Sequence, residues 1–271
     1  TATSLDLDVR RARLRPEVLE AGPVRLHSYP EAWNVLSRIY SQHLPERPGA
    51  IERSAFWWAA RQLRATPTLE PVYVVVHGEP GHEDGFVRYH PIDTGKWFTS
   101  SNRTIVVDDF FAPTPRVRAG LVRFLLGLDL VDRIVFAALP ADDPLPWMLT
   151  DHRAVRVRSV ADETWLRILD VPRALAERSY AGTGGVRIAV EDPLFEENSG
   201  VFEVGPDGAT PTSASAHLTV GIAALGSVIL GGVRLHQLAA AGRVRVHEPD
   251  ALEVADGLFA WPHAPFAGTS F

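Results

Sequence analysis

The turn at residues 78–81 is flanked by side chains of the kind that bind metal ions. His77 and His82 stand on either side of its Gly-Glu-Pro-Gly sequence, and Glu83 follows. A hairpin would bring these groups together, and two imidazoles with a carboxylate can hold Zn²⁺. One histidine pair with one acid is a weak pattern, so a structural turn is the better interpretation. The chain contains no cysteine, which excludes disulfides, a thiolate nucleophile and Cys-ligated zinc.

Two further groups resemble catalytic side chains but have simpler explanations. Ser227 lies in the LGSV sequence at residues 225–228, which lacks the second glycine of a nucleophile elbow. Its small, apolar neighbours favour close helix packing instead. Asp108 and Asp109 are adjacent on a predicted strand. Their side chains should therefore point to opposite faces of the sheet, where they cannot act together on one substrate.

Phosphate-binding loops have a recognisable spacing, and the nearest match is RVRAG at residues 116–120. A loop for the pyrophosphate of acetyl-CoA needs Arg or Gln, two residues, and then a Gly-x-Gly/Ala pair. Backbone N–H groups of that loop surround the anion at a helix N-terminus. Gly120 stands one residue too late for this spacing, so the segment predicts a helix packed for structural reasons. P-loop and dinucleotide-binding patterns do not occur in the chain.

The elements that would position these residues alternate along the first part of the chain. Period-two alternation and β-branched runs predict strands at residues 4–9, 72–77, 86–90, 104–111 and 133–139. Apolar residues at helical spacing predict helices at 30–40, 51–64 and 115–127. This order predicts an α/β domain with a mixed sheet.

A second domain is predicted beyond a boundary near Ala161. Its predicted strands are residues 165–169, 186–190, 201–204 and 217–220. Its predicted helices are residues 171–180, 221–230, 234–241 and 249–261. The pattern indicates an α+β domain with a small antiparallel sheet and helices on one face. This part also carries most of the net charge of −6.

Composition excludes several classes of protein. The chain has 271 residues, of which 46% are hydrophobic and 22% are charged, as in globular proteins of two domains. Its negative charge argues against nucleic-acid binding. No apolar run is long enough for a membrane span, and no signal peptide is evident, so a cytoplasmic protein is expected. The chain begins at Thr1 instead of Met, which predicts the later part of a longer protein.

Five segments form one ordered pattern over nearly the whole chain. They read DPLPWMLTDHR at 143–153, TWLRILDVPRAL at 164–175, LGSVILGG at 225–232, LAAAGR at 238–243 and PFAGTSF at 265–271. In this order they resemble the enhanced intracellular survival (Eis) family of N-acetyltransferases. That family has an N-terminal GNAT domain, a degenerate GNAT-like central domain and a domain with a sterol-carrier-protein fold.

The resemblance implies a domain for each part of the chain. Residues 1–10 would be the last strand of a missing N-terminal GNAT domain. Residues 11–160 would be the central GNAT-like domain, and residues 161–271 the sterol-carrier-like one. The cofactor-binding loop and the tyrosine general acid of the family would lie in the missing domain, so no residue of this chain is expected to bind acetyl-CoA.

The resemblance also implies an activity and its residues. The family transfers acetyl from acetyl-CoA to amines, including aminoglycosides and lysine side chains, and its members form hexamers. Phe271 would supply a C-terminal carboxylate as general base, while Ser270 and Phe266 would contact the substrate. An aromatic tail with Trp261, Phe266 and Phe271 favours docking over fraying. A non-catalytic lipid-binding or assembly module with a sterol-carrier-like fold is the alternative.

Overall fold

The computed structural model describes residues 1–18, 21–27, 29–44, 47–65 and 71–269. The chain divides into two compact units. Unit 1 contains residues 1–46, 50–163 and 266–271, and unit 2 contains residues 47–49 and 164–265. In the described parts of the chain, no helix is both long and apolar enough to cross a lipid bilayer.

Unit 1 is built on a seven-stranded sheet. Its strands are β1 (Ala2–Asp8), β2 (Val24–His27), β3 (Tyr73–His77), β4 (Gly85–Ile92), β5 (Thr104–Phe111), β6 (Arg133–Leu139) and β7 (Val155–Ala161). Their order across the sheet is β2-β3-β4-β5-β6-β1-β7. The neighbours β5 and β6 run parallel, and the other pairs are antiparallel. The predicted mixed sheet is thus confirmed.

Helices cover both faces of this sheet. They are α1 (Tyr29–Gln42), α2 (Ala55–Ala65) and α3 (Pro115–Leu126). Successive residues of β3 face opposite sides, as the pleat requires. Val75 joins the core beneath α3, whereas Val74 and Val76 join the core formed with α1 and α2. The valine run at this strand is therefore apolar throughout because both of its faces are buried.

Strand β1 lies within the sheet of unit 1, between β6 and β7. Thr3 pairs with Leu139 on one side and with Val160 on the other. The division by resemblance placed residues 1–10 in a separate domain. Period-two alternation identifies a strand but not the sheet that it joins, because pairing depends on partners far away in the sequence.

Unit 2 has a five-stranded sheet in the order β10-β9-β8-β11-β12. Its elements are α4 (Val171–Glu177), β8 (Val186–Glu191), β9 (Gly200–Gly205), β10 (Gly208–Thr212), β11 (Leu218–Gly221), α5 (Ile222–Val228), α6 (Leu235–Ala240), β12 (Val244–Val246) and α7 (Ala251–Phe259). Alternate residues of β8 and apolar residues of α4, α5, α6 and α7 share one core.

Two predictions for this unit were wrong. The sheet is not purely antiparallel, because β11 returns beside β8 and runs parallel to it. Residues 165–169 form no strand. Trp165 and Leu169 are exposed, and of this segment Ile168 alone reaches the core. An apolar run becomes a strand only when a neighbouring strand satisfies its backbone hydrogen bonds.

Asp192, just past β8, ties together the loops at one end of the unit 2 sheet. Its buried carboxylate accepts hydrogen bonds from Asn198 Nδ2 at 2.9 Å and from Arg167 Nη2 at 2.8 Å. Asn198 in turn accepts a bond from the N–H of Val171 at the start of α4, at 2.9 Å. Burial alone would raise the pKa of Asp192, but these bonds, with those from neighbouring N–H groups, lower it to about 2.

Replacing Asp192 should lower the stability of unit 2 in a pH-dependent way. Because its folded-state pKa is depressed, the stabilising contribution is present above the ordinary pKa of 3.8 and is lost as pH falls through about 2. We expect Asp192→Asn to lower the melting temperature at pH 7, with the difference from wild type shrinking towards pH 2. Asp207→Asn, in the exposed turn after β9, is the matched control. An unchanged melting temperature at pH 7 would contradict this role.

Candidate functional site

Arg53, two residues before the start of α2, is a buried cation with an unusually complete set of partners. Its side chain is 2% exposed. Nη1 donates to Oδ2 of Asp109 on β5 at 2.6 Å, and Nη2 donates to Oδ1 of the same carboxylate at 3.0 Å. This two-pronged geometry is the strong form of a guanidinium–carboxylate pair. The pair therefore fixes the plane of the guanidinium.

The other donors of this guanidinium bind the carboxyl-terminal tail. Nη2 of Arg53 also donates to the main-chain oxygen of Gly268, and Nε donates to Oγ1 of Thr269 at 3.2 Å. The Thr269 hydroxyl lies 3.4 Å from that of Tyr40, which donates to the Ile51 carbonyl at 2.7 Å. Thr269 is consequently 1% exposed. We call Arg53, Asp109, Gly268 and Thr269 the tail clamp.

Aromatic rings enclose the guanidinium of the clamp. The Arg53 Cζ atom lies 4.1 Å from the centroid of Tyr40 and 4.4 Å from that of Trp57. The Trp58 ring is 5.2 Å away and is itself buried. Cation–π contacts of this kind are stronger where water is excluded. Trp57 and Trp58 thus contact the Arg53 guanidinium and also pack in the apolar core of unit 1.

Glu163 interacts with the same tail. Burial raises the pKa of its carboxyl, while the backbone N–H groups of Ala267 and Gly268 lower it in part. Gly268 adopts a left-handed conformation with φ of +63°, which glycine tolerates better than other residues. The tail therefore changes direction at Gly268, immediately before the threonine that Arg53 holds.

Of the three residues predicted for the site, only Phe266 lies in the described part of the chain. Phe266 is half-buried in unit 1, and its ring lies beside Gly268. Ser270 and Phe271 lie outside the described residues, so their predicted roles stay predictions. Sequence reasoning missed Arg53 altogether, because nothing in its local sequence sets it apart from the other arginines.

The aspartate pair of β5 does not follow the regular alternation predicted from the sequence, because the pairing with β4 shifts by one residue between Val107 and Asp109. Asp109 binds Arg53, whereas Asp108 binds His90 Nδ1 at 2.8 Å. The two carboxylates therefore have different partners and separate roles. Ser227 likewise has a structural partner, since its hydroxyl donates to the Ala223 carbonyl one turn earlier in α5, at 2.9 Å.

The His77–Glu83 turn is held by ion pairs. Nδ1 of His77 lies 2.5 Å from Oδ1 of Asp84. Glu83 binds Arg25, and also Arg38 at 2.6 Å. Burial alone would raise the pKa of Glu83, but the bond from Arg38 and those from backbone N–H groups lower it to about 2. Within the described ranges, no three His, Asp or Glu side chains form a group suited to a metal ion.

The RVRAG segment lies inside α3, where its glycine serves packing. Thr114 caps this helix by accepting from the N–H of Val117 at 3.3 Å. Gly120 is buried in the next turns. A Cβ atom at Gly120 would lie 2.6 Å from Cδ2 of His77. The missing side chain thus lets α3 approach β3.

Substitution of Gly120 tests whether the close approach of α3 to His77 matters for stability. Alanine is the better helix former by about 1 kcal/mol, yet we expect Gly120→Ala to destabilise unit 1 by about 1–3 kcal/mol because it overpacks the core. Gly127→Ala, at the end of the same helix, is the matched control, since a Cβ there would meet Arg123 O at an ordinary 3.4 Å. Urea unfolding measures both variants. A Gly120→Ala protein as stable as wild type would contradict the packing role.

Comparisons with known proteins agree with both units. A model of the acetyltransferase (GNAT) domain matches residues 49–168, and a model of the sterol carrier protein domain matches residues 171–268. The crystal structure of Eis1 from Mycobacterium abscessus has a TM-score of 0.93 and 40% identity, covering 100% of this chain and 68% of that one. The chain belongs to the Eis-like family of N-acetyltransferases.

Other Eis-like relatives extend the match. An uncharacterized N-acetyltransferase of Streptomyces avermitilis is 31% identical over 280 residues, covering 100% of this chain and 67% of the relative. The N-acetyltransferase Eis of Mycobacterium tuberculosis is 31% identical over 274 residues, covering 96% of this chain and 64% of the relative. The chain therefore spans about two-thirds of the length of these Eis-like relatives. The resemblance found in the sequence is confirmed.

Proposed function

We propose that this chain is part of an enzyme that transfers an acetyl group from acetyl-CoA to a primary amine. Membership in the Eis-like family supports the reaction class. The observation that carries the proposal is the tail clamp, in which buried Arg53 holds Gly268 and Thr269. A tail held in this way is suited to presenting a chemical group at its end, and an ordinary surface terminus would fray instead.

We assign the general base to the carboxylate of Phe271, the last residue of this sequence. A protonated amine has no lone pair and cannot attack a thioester, so a base must take its proton. The nitrogen then forms a bond to the acetyl carbonyl carbon as the carbon–sulfur bond breaks and CoA leaves as its thiolate. The second proton that the nitrogen loses balances the one that converts this thiolate into the thiol. Ser270 and Phe266 are proposed to line the amine side of the site.

Acetyl-CoA binding is assigned to the N-terminal GNAT domain that family members carry. In this chain the corresponding helix, α3, is capped by its own Thr114, and Gly120 packs against His77. These residues do not fit a pyrophosphate. The described residues thus support the amine side of the reaction and leave the thioester to another part of the full-length protein.

The substrates and the assembly of this enzyme are proposed from its membership in the Eis-like family. Aminoglycosides and lysine-type amines are the proposed substrates, and a cytoplasmic homohexamer is the proposed assembly. The negative charge of the chain suits polycationic amines, because it attracts them at long range.

A lipid-binding or assembly module is the second candidate, favoured by the sterol carrier protein match at residues 171–268. Side chains of α4, α5, α6 and α7 pack with the sheet into one core in that unit. The acetyltransferase proposal explains both the tail clamp and the fold. The lipid-binding or assembly proposal explains the fold alone, so we favour the acetyltransferase.

An acetyl-transfer assay tests the proposal. The full-length protein is mixed with acetyl-CoA and either an aminoglycoside, a lysine peptide or a neutral alcohol as control. Thiol release and acetylated product are expected with the amines and not with the alcohol. Absence of both with every amine, together with lipid recovered in stoichiometric amount from the purified protein, would favour the second candidate.

A further inference from the structure

We propose that Arg53 and Asp109 are a positioning pair that sets the direction of the tail and keeps its terminal carboxylate free to act as a base. This inference rests on the proposed function of Phe271. Arg53 supplies two contacts to the tail and two to Asp109. All four depend on the planar fork of a guanidinium, and a lysine ammonium cannot reproduce them.

The clamp limits the reach of the tail. Thr269 is fixed by hydrogen bonding and is fully enclosed. Two further residues extend the chain by at most about 7 Å. Arg53 therefore defines a small volume in which the carboxylate of Phe271 can lie. Release of the clamp would enlarge that volume, and displacement of a reacting group by 1 Å can cost about 10²-fold in rate.

Asp109 has a separate task in this arrangement. A buried guanidinium without a counter-ion would attract the nearest carboxylate, since its desolvation must be offset by an ion pair. Two carboxyl groups could answer that attraction: the terminal one of Phe271, two residues beyond Thr269 in the sequence, and that of Glu163, whose pKa is raised by burial and already lowered in part by Arg53. Because Asp109 already occupies two donors of Arg53, the guanidinium binds the tail through a carbonyl and a hydroxyl oxygen. The terminal carboxylate is thereby left available for a proton.

The test uses variants of the full-length protein with Arg53→Lys, Asp109→Asn, Thr269→Val or two glycines added after Phe271, alone and combined. Arg53→Lys should lower kcat by about 10–10²-fold and leave the KM for acetyl-CoA unchanged. Asp109→Asn should lower kcat and move the acidic limb of its pH profile downwards, because the freed guanidinium stabilises the ionised base. Arg64→Lys, exposed on α2, is the matched control.

Combination with the glycine extension separates this inference from the function on which it rests. If Arg53 acts through the carboxylate, Arg53→Lys adds no further loss to an extended protein. Multiplying losses, or a kcat for Arg53→Lys equal to wild type, would overturn the positioning role. An extension without effect would instead overturn the assignment of Phe271. If Arg53→Lys does not fold, Thr269→Val carries the same test, because it removes one clamp contact and keeps the shape of the side chain.

Discussion

Two glycines added after Phe271 are expected to abolish acetyl transfer by the full-length protein. The addition converts the carboxylate of Phe271 into an amide, which cannot take a proton from an ammonium group. Loss of a general base costs about 10²–10⁴-fold in rate, so kcat should fall by that factor. Affinity for acetyl-CoA and the melting temperature should stay close to wild type, because the clamp residues are unchanged. Steady-state kinetics with an amine substrate and a thermal melt measure the two effects.

The same two glycines inserted after Asp207 provide the control for the extension. That position lies in the exposed turn that joins β9 to β10, where insertions are well tolerated. Turnover should be unaffected there. A tail-extended enzyme with wild-type turnover would show that the base lies elsewhere, and Phe271 would lose its assigned role.

The 271-residue chain by itself is expected to bind acetyl-CoA more weakly than a Kd of about 1 mM, which is about −4 kcal/mol. A pyrophosphate needs free backbone N–H groups at a helix start. At α3 the Val117 N–H is already bound by Thr114, and Gly120 is packed against His77. Calorimetric titration of the chain and of the full-length protein compares the two directly. Stoichiometric micromolar binding by the chain alone would contradict this prediction.

Two central strands of the unit 1 sheet were predictable because β-branched and other apolar residues predominate in them. The predicted strands at 104–111 and 133–139 coincide with β5 and β6. Strand β7 was missed because it is exposed and carries Arg156 and Arg158. Its position depends on pairing with β1, and its own sequence gives no sign of this.

The clamp could not be predicted for a related reason. Arg53 meets Asp109 across 56 positions of sequence and meets Thr269 across 216. No local spacing encodes such contacts, and one arginine among many carries no signal. What the sequence did indicate was an aromatic tail unsuited to solvent. Residues 266–269 are indeed held in unit 1, whereas Trp261 belongs to unit 2 and is exposed.

The place of β1 in the sheet affects the order in which the protein can fold as it is made. β1 lies at the start of this chain, yet its neighbours are β6 and β7, and Ala2 pairs with Ala161. At a synthesis rate of about 5–20 residues per second, β1 waits on the order of ten seconds for those partners to leave the ribosome. During that interval the backbone groups of β1 lack their final partners, so nascent unit 1 is exposed to mispairing with other chains in a way that the finished sheet is not.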